Sequence, residues 1–201
     1  MTWGFEDIGD QRGRIVVVTG ANSGIGFQTA LELARRGADV VLACRQRSRA
    51  ITALGRIRQE VPLASVQIAS LDLADLRSVR AFAEDVTANT RRLDLLVNNA
   101  GVMTPPYGKT ADGFELQLGT NHLGHFALTG LLWPHLMEAE APRVVTVSST
   151  MHRLGRINFD DLQSVKSYSR AAAYGQSKLA NLLFTAELGR RAEAVGAPLI
   201  S

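Results

Sequence analysis

The chain lacks most of what would staple, anchor or interrupt it. A single cysteine, Cys44, stands among 201 residues. No internal disulfide can form, and one lone thiol fits a reducing compartment. No apolar run approaches the ~20 residues a membrane span needs. The start, Met1-Thr2-Trp3-Gly4-Phe5-Glu6-Asp7, lacks the basic-then-apolar order of a signal peptide. These absences lead us to expect a soluble, cytoplasmic protein. Charge of one sign is also missing. Lys and Arg number 22 against 19 Asp and Glu, for a net charge of +3. The arginines are scattered, so no basic tail marks a nucleic-acid partner. His122 and His125 lie three apart, but no third ligand of suitable type is spaced nearby, so no metal is expected.

What remains is ordinary globular composition, 46% hydrophobic and 20% charged. No repeat, low-complexity segment or linker divides the chain, so residues 1–201 are expected to form one domain. Residues 1–12 read as an irregular arm. Continuous apolar runs then alternate with helical patterns. Strands are expected at 15–18, 39–44, 65–69, 93–97 and 143–148, with the start of a sixth at Leu199-Ile200. Helices are expected over about 24–36, 46–60, 75–89, 114–139 (bent or broken near Pro134) and 172–194; 102–113 reads as a loop and 150–171 as mixed. Runs that are apolar throughout suit strands covered on both faces. Such alternation implies an α/β fold with a doubly wound parallel sheet.

In sheets of that kind, ligands bind beyond the carboxyl ends of the strands. Five polar clusters sit at those ends: Gly20–Gly26, Cys44-Arg45, Asp72-Leu73, Asn98-Asn99-Ala100-Gly101 and Ser148-Ser149. The first is Thr19-Gly20-Ala21-Asn22-Ser23-Gly24-Ile25-Gly26, between the first strand and the first helix. That layout sets backbone N–H groups and a helix N-terminus against a phosphate. Gly20 suits a turn with positive φ, Gly24 leaves room for a pyrophosphate, and Gly26 allows close packing of the helix. A purely structural glycine turn would look the same in isolation.

Tyr174 and Lys178 are four apart on one expected helix face. A phenol titrates near 10, and a neighbouring ammonium favours its anion, so such a pair can move a proton near neutral pH. Tyr and Lys at this spacing are also common surface decoration. Order and company change the weighing. Thr19-to-Gly26, Asp72-Leu73, Asn98-to-Gly101, Asn121-His122-Leu123-Gly124, Val147-Ser148-Ser149 and Tyr174-x-x-x-Lys178 follow one another in sequence. Together they resemble the short-chain dehydrogenase/reductase family over almost the whole chain. Asn121–Phe126 and Ser177–Asn181 are similar to the branch of retinol dehydrogenases, WW-domain oxidoreductase and protochlorophyllide reductase.

The resemblance implies a catalytic set. Tyr174 would be the general acid/base, and Lys178 would support it and bind the nicotinamide ribose. Asn121 would hold a proton-relaying water, and Ser149, the second of its pair, would orient the substrate oxygen. It also implies that Gly20, Asn22, Ser23, Gly24, Ile25, Gly26, Asp72, Leu73, Asn99, Ala100 and Gly101 bind the cofactor with Tyr174 and Lys178. Asp72 would meet the adenine amino group, or serve only as a helix-entry cap. An acidic residue at the end of the second strand would bind a free ribose 2′-OH, whereas arginine accommodates a 2′-phosphate. Here Cys44-Arg45 stands there without a carboxylate, and Arg47 and Arg49 follow, so Arg45 points to NADP. The expected activity is hydride exchange with an apolar alcohol or carbonyl compound; an NADP-binding sensor or scaffold is the alternative. Such proteins are often homo-oligomers through the helix after Tyr174 and the long helix before strand five. Family members continue for about 50 residues or more past the point where this chain stops, so the domain is expected to be truncated at strand six.

Overall fold

A computed structural model describes residues 4–201; the first three residues of the expected arm lie outside it. The rest of the arm makes one exposed 3₁₀ turn, Phe5–Asp7, and is otherwise irregular. Five strands follow: β1 (Ile15–Thr19), β2 (Asp39–Cys44), β3 (Val66–Ser70), β4 (Leu95–Asn98) and β5 (Arg143–Thr146). They form one parallel sheet in the order β3-β2-β1-β4-β5. Ile200 pairs in parallel with Arg143, and its carbonyl accepts from Val144 N–H at 2.9 Å, so the expected sixth strand begins beside β5.

The middle strand shows why the runs are apolar throughout. Side chains alternate between faces along a strand, yet Val16, Val17 and Val18 are all fully buried. Val16 and Val18 join a core with Phe27, Ala30, Leu31 and Ile57 from α1 (Gly24–Arg35) and α2 (Arg47–Glu60). Val17 joins the opposite core with Phe82, Leu96, Leu128, Leu132 and Leu136, where α3 (Leu76–Asn89) and α5 (Gly124–Met137) pack. Both faces are covered, as a doubly wound sheet requires. The strand order reverses its direction of winding between β1 and β4, which opens the ligand crevice there.

Helix ends follow local chemistry. Gly37, at φ +90°, ends α1 in the left-handed region. The Asp75 carboxylate accepts from Arg77 N–H at 2.9 Å and caps α3. The long helix departs from expectation. It runs as α4 (Leu116–Leu118), a π turn at Gly119–Leu123 and then α5, which passes through Pro134 without a break. The carbonyl four residues before Pro134 belongs to exposed Gly130, where water can replace the missing N–H. The irregularity lies instead at Asn121. Segment 150–171 holds two 3₁₀ turns, Thr150–Leu154 and Phe159–Asp161, and ends at α6 (Arg170–Ala194).

Candidate active site

A cleft of about 600 Å³ opens above the carboxyl ends of the strands and gathers residues from all five polar clusters. Of the predicted binding residues, Gly20, Asn22, Ser23, Ile25, Gly26, Arg45, Asp72, Leu73, Asn99, Ala100 and Gly101 line it, as do Ser149, Tyr174 and Lys178. Gly24 and Asn121 do not.

The glycine turn is built for close approach. Gly20 sits at φ +66°, and a Cβ there would stand 2.9 Å from Ala100 Cα. Gly26 leaves space for the Asn99 amide and for the Gly20 carbonyl, which a Cβ would meet at 2.7 Å. Its close packing is thus against the turn itself rather than the strand. Gly24 opens α1 at φ +56° with open space around it, so its conformation is what demands glycine. Ser23 is the N-cap of α1, but its hydroxyl caps nothing. Beneath the turn, the buried Cys44 thiol lies against the backbone of Ala21 and Asn22, and burial raises its pKa above the ordinary value. Cys44 therefore backs the turn, a role that strand patterning alone did not reveal.

Arg45 and Arg49 line the cleft and are exposed. Neither joins an ion pair among the described residues. Arg47 points elsewhere and does not line it. Across the cleft, Asp72 braces the turn that leads to α3, while the cap of that helix is Asp75. One carboxylate oxygen accepts from Ala74 N–H at 2.9 Å, and the residue still lines the cleft.

The other end is organised by Lys178. It is only 4% exposed. Its Nζ donates to the Val147 carbonyl at 2.9 Å and stands 5.8 Å from the centroid of the Tyr174 ring. Burial pushes its pKa below the ordinary lysine value. A Cβ on Gly101 would come within 3.7 Å of this ammonium. The serine pair divides its labour: Ser148 donates to the Lys178 backbone carbonyl at 2.8 Å, which anchors α6 on β5. Ser149 caps the following 3₁₀ turn by accepting from Met151 N–H, which leaves its own proton available. That turn presses against α6 because Gly155 and Gly175 carry no side chains; a Cβ on Gly175 would meet the Met151 carbonyl at 3.0 Å.

Asn121 lies beneath the cleft with its side chain engaged in other contacts. Its side chain is fully buried, with Oδ1 accepting from Val102 N–H at 2.8 Å. Its amide donates to the Val102 carbonyl at 2.9 Å and to Ser177 Oγ at 3.0 Å. Both amide protons are committed, so the side chain clamps the cleft floor rather than presenting a water to Lys178. Only the backbone carbonyl, in the π turn, keeps spare accepting capacity beyond its contact with His125. π turns of this kind recur at functional sites.

Two threonine hydroxyls matter in ways the sequence does not display. Thr19 lines the cleft, and its hydroxyl accepts from the backbone N–H groups of Asn99 (2.9 Å) and Ala100 (3.0 Å). Thr120 also lines it, with a buried hydroxyl that has no partner. Thr19 heads the glycine stretch, but its partners Asn99 and Ala100 lie 80 and 81 residues away in the chain. The two histidines are engaged separately, His122 with Asn181 and His125 with Thr19 and Asn121.

A glycine turn with arginines at one end of a cleft, and tyrosine, lysine and serine at the other, is the layout of a dinucleotide-binding cleft on a Rossmann-type sheet. The short chain dehydrogenase family model matches residues 14–196, and the chain belongs to that family. Its relatives narrow the branch. Retinol dehydrogenase 12 of Mus musculus is 53% identical over 184 residues, 92% of this chain and 58% of that protein. Retinol dehydrogenase 14 of Homo sapiens is 49% identical over 200 residues, 93% of this chain and 60% of that protein. The chain thus spans under two thirds of the length of these relatives. Among solved structures, an uncharacterised protein of Mycobacterium paratuberculosis aligns with a TM-score of 0.89 at 51% identity, covering 99% of this chain and 70% of that one. A short chain dehydrogenase of Escherichia coli CFT073 complexed with NADPH aligns with a TM-score of 0.76 at 27% identity, covering 94% and 74%.

Proposed function

We propose that the chain is the cofactor-binding and catalytic part of an NADP-dependent alcohol/carbonyl oxidoreductase. The observation that carries this reading is one cleft holding unpaired Arg45 and Arg49 at one end and Ser149, Tyr174 and Lys178 at the other.

The lining fits the dinucleotide in three ways. Side chains at Gly20, Gly26 and Gly101 would collide with neighbours around the cleft. The N-terminus of α1, uncapped by the Ser23 side chain, opens on the cleft at Ser23, Ile25 and Gly26, where a pyrophosphate would be held. The orphaned Thr120 hydroxyl lacks a partner that a polar ligand would supply. Arg45 and Arg49 would hold the 2′-phosphate, Asp72 the adenine edge, and Lys178 the nicotinamide ribose. The bound nicotinamide supplies or accepts the hydride. Ser149 donates to the substrate oxygen and fixes its position. Tyr174 gives that oxygen a proton during reduction and takes it back during oxidation. Lys178, held by Val147, keeps a positive charge beside the tyrosine. Water held by the carbonyls and hydroxyls of the cleft floor would carry the proton to bulk solvent.

An apolar substrate, retinoid-like or similar, is supported by exposed Met103 on the lining and by the names of the relatives. A homo-oligomer is supported by exposed Phe126, Leu182 and Leu183 around the Phe126–Phe184 contact between α5 and α6. A cytoplasmic location rests on the lone free thiol. No helix among the described residues is long and apolar enough to cross a membrane.

The test is to titrate the protein with NADPH and NADH, then follow nicotinamide absorbance with a panel of apolar aldehydes and ketones. Tighter NADPH binding and oxidation of NADPH are expected. Binding without turnover on any carbonyl would favour the sensor reading, and no binding would overturn both.

A further inference from the structure

His125 is the most deeply buried ionisable ring in the molecule's described part, and nothing in the proposed chemistry uses it. It is 1% exposed, at the start of α5 just after the π turn. Its Nδ1 lies 3.0 Å from the Asn121 carbonyl and its Nε2 lies 2.9 Å from Thr19 Oγ1. A carbonyl only accepts, so Nδ1 carries the proton. Thr19 Oγ1 already accepts from the N–H groups of Asn99 and Ala100. Its own proton has two possible takers, the Val97 carbonyl at 3.3 Å and the closer Nε2. A neutral Nδ1–H ring satisfies every group in this chain of contacts. A ring protonated at both nitrogens would aim a further donor at an oxygen whose lone pairs are taken, and would have to displace Asn99 or Ala100.

We propose that His125 is a positioning residue that holds the dinucleotide-binding wall and the π turn in register. Its acceptor sets the direction of the Thr19 hydroxyl, which in turn aims the Asn99-Ala100 backbone at the cleft. Its donor fixes the Asn121 carbonyl beside the proton path. The inference rests on the cofactor reading above. The surroundings agree with a neutral ring: burial holds its pKa down at about 4, and Lys178 and His122, the ionisable groups nearest it, lower it further.

Amide side chains separate the two contacts, because the Asn amide overlays Nδ1 and the Gln amide overlays Nε2. His125→Gln keeps an acceptor for Thr19, and its NADPH Kd should stay within about threefold of wild type. His125→Asn keeps only the donor to Asn121, and its Kd should rise roughly 3- to 10-fold, the worth of one buried hydrogen bond. In Thr19→Val, adding His125→Asn should cost no further affinity, because the hydroxyl it served is gone. Thermal melts accompany each titration, so that a general loss of folding is seen as such. Long-range ¹H–¹⁵N correlation on the wild type should show unprotonated Nε2 at pH 7. Equal Kd values for the Gln and Asn variants, additive effects in the Thr19→Val background, or a protonated Nε2 would overturn the proposal. If wild type itself fails to bind NADPH, it is the cofactor reading that falls, while the tautomer measurement still stands on its own.

Discussion

Replacing Arg45 with alanine should weaken NADPH binding and leave NADH nearly untouched. The guanidinium sits at the end of β2, on the cleft and without an acidic partner. A 2′-phosphate there would receive charge-assisted hydrogen bonds, worth about 1.5–3 kcal/mol in favourable settings. Arg45 is exposed, so solvent screening pulls the expected effect to the lower end of that range. About 1.4 kcal/mol is a factor of ten, so NADPH Kd should rise about tenfold in Arg45→Ala. Arg49→Ala should cost less, since it stands one turn into α2, and Arg47→Ala should cost nothing because that side chain misses the cleft. Arg45→Asp should go further and favour NADH, by repelling the phosphate and accepting from a free 2′-OH. Cys44 is the wrong place for that carboxylate, since its buried thiol lies against the backbone of Ala21 and Asn22 instead. The assay is fluorescence titration of each variant with both cofactors, at low and at physiological salt. The Arg45 contribution should shrink as the Debye length falls from about 30 Å at 0.01 M to about 8 Å at 0.15 M. Equal loss for NADPH and NADH, or a salt-independent effect, would refute the phosphate role.

Three further outcomes are expected. Gly26→Ala places a Cβ 2.7 Å from the Gly20 carbonyl and into the Asn99 amide; it should lower stability by about 1–3 kcal/mol and raise NADPH Kd, checked by melting and titration together. His125, with its pKa lowered from 6.5 to about 4 by burial, is neutral in the folded chain but titrates normally when unfolded. Its contribution to stability is whole above pH 6.5 and declines as pH falls towards 4, by up to about 3 kcal/mol. Denaturation curves of wild type and His125→Gln should therefore diverge across that window, wild type losing more, and parallel curves would count against it. Phe126→Glu with Leu183→Glu should turn a dimer into a monomer in light scattering, whereas a monomeric wild type at micromolar concentration would remove the oligomer proposal.

The strand-turn-helix units were readable because one local pattern sets each of them. Val16–Val18 had to be buried on both faces, Gly20 and Gly37 had to adopt positive φ, and Asp75 had to cap a helix. The π turn was not readable. It comes with close approach of Gly119 to Thr110 in the preceding loop and of Gly124 to the Leu73 carbonyl beyond β3. Hydrophobic periodicity cannot register such contacts, and the visible helix breaker, Pro134, drew attention to the wrong place. The candidate site divides the same way. Tyr174 and Lys178 stood out by spacing and order and Ser149 through the family resemblance, and the three line one cleft. The commitments of Asn121, Cys44 and Thr19 were hidden, since each is defined by the distant backbone groups it touches. Arg45 was legible from its place after β2, whereas helix phase decides that Arg49 and not Arg47 joins it on the cleft.

The central claim is that Tyr174 moves the proton in a cleft whose cofactor is held by other residues. It is tested most directly by Tyr174→Phe, which keeps the ring and removes only the hydroxyl. NADPH Kd should stay close to wild type, while kcat on a reducible carbonyl should fall roughly 10²–10⁴-fold, the usual worth of general acid–base catalysis. A Tyr174→Phe protein that turns over at the wild-type rate, or that loses NADPH binding as its main defect, would contradict the account.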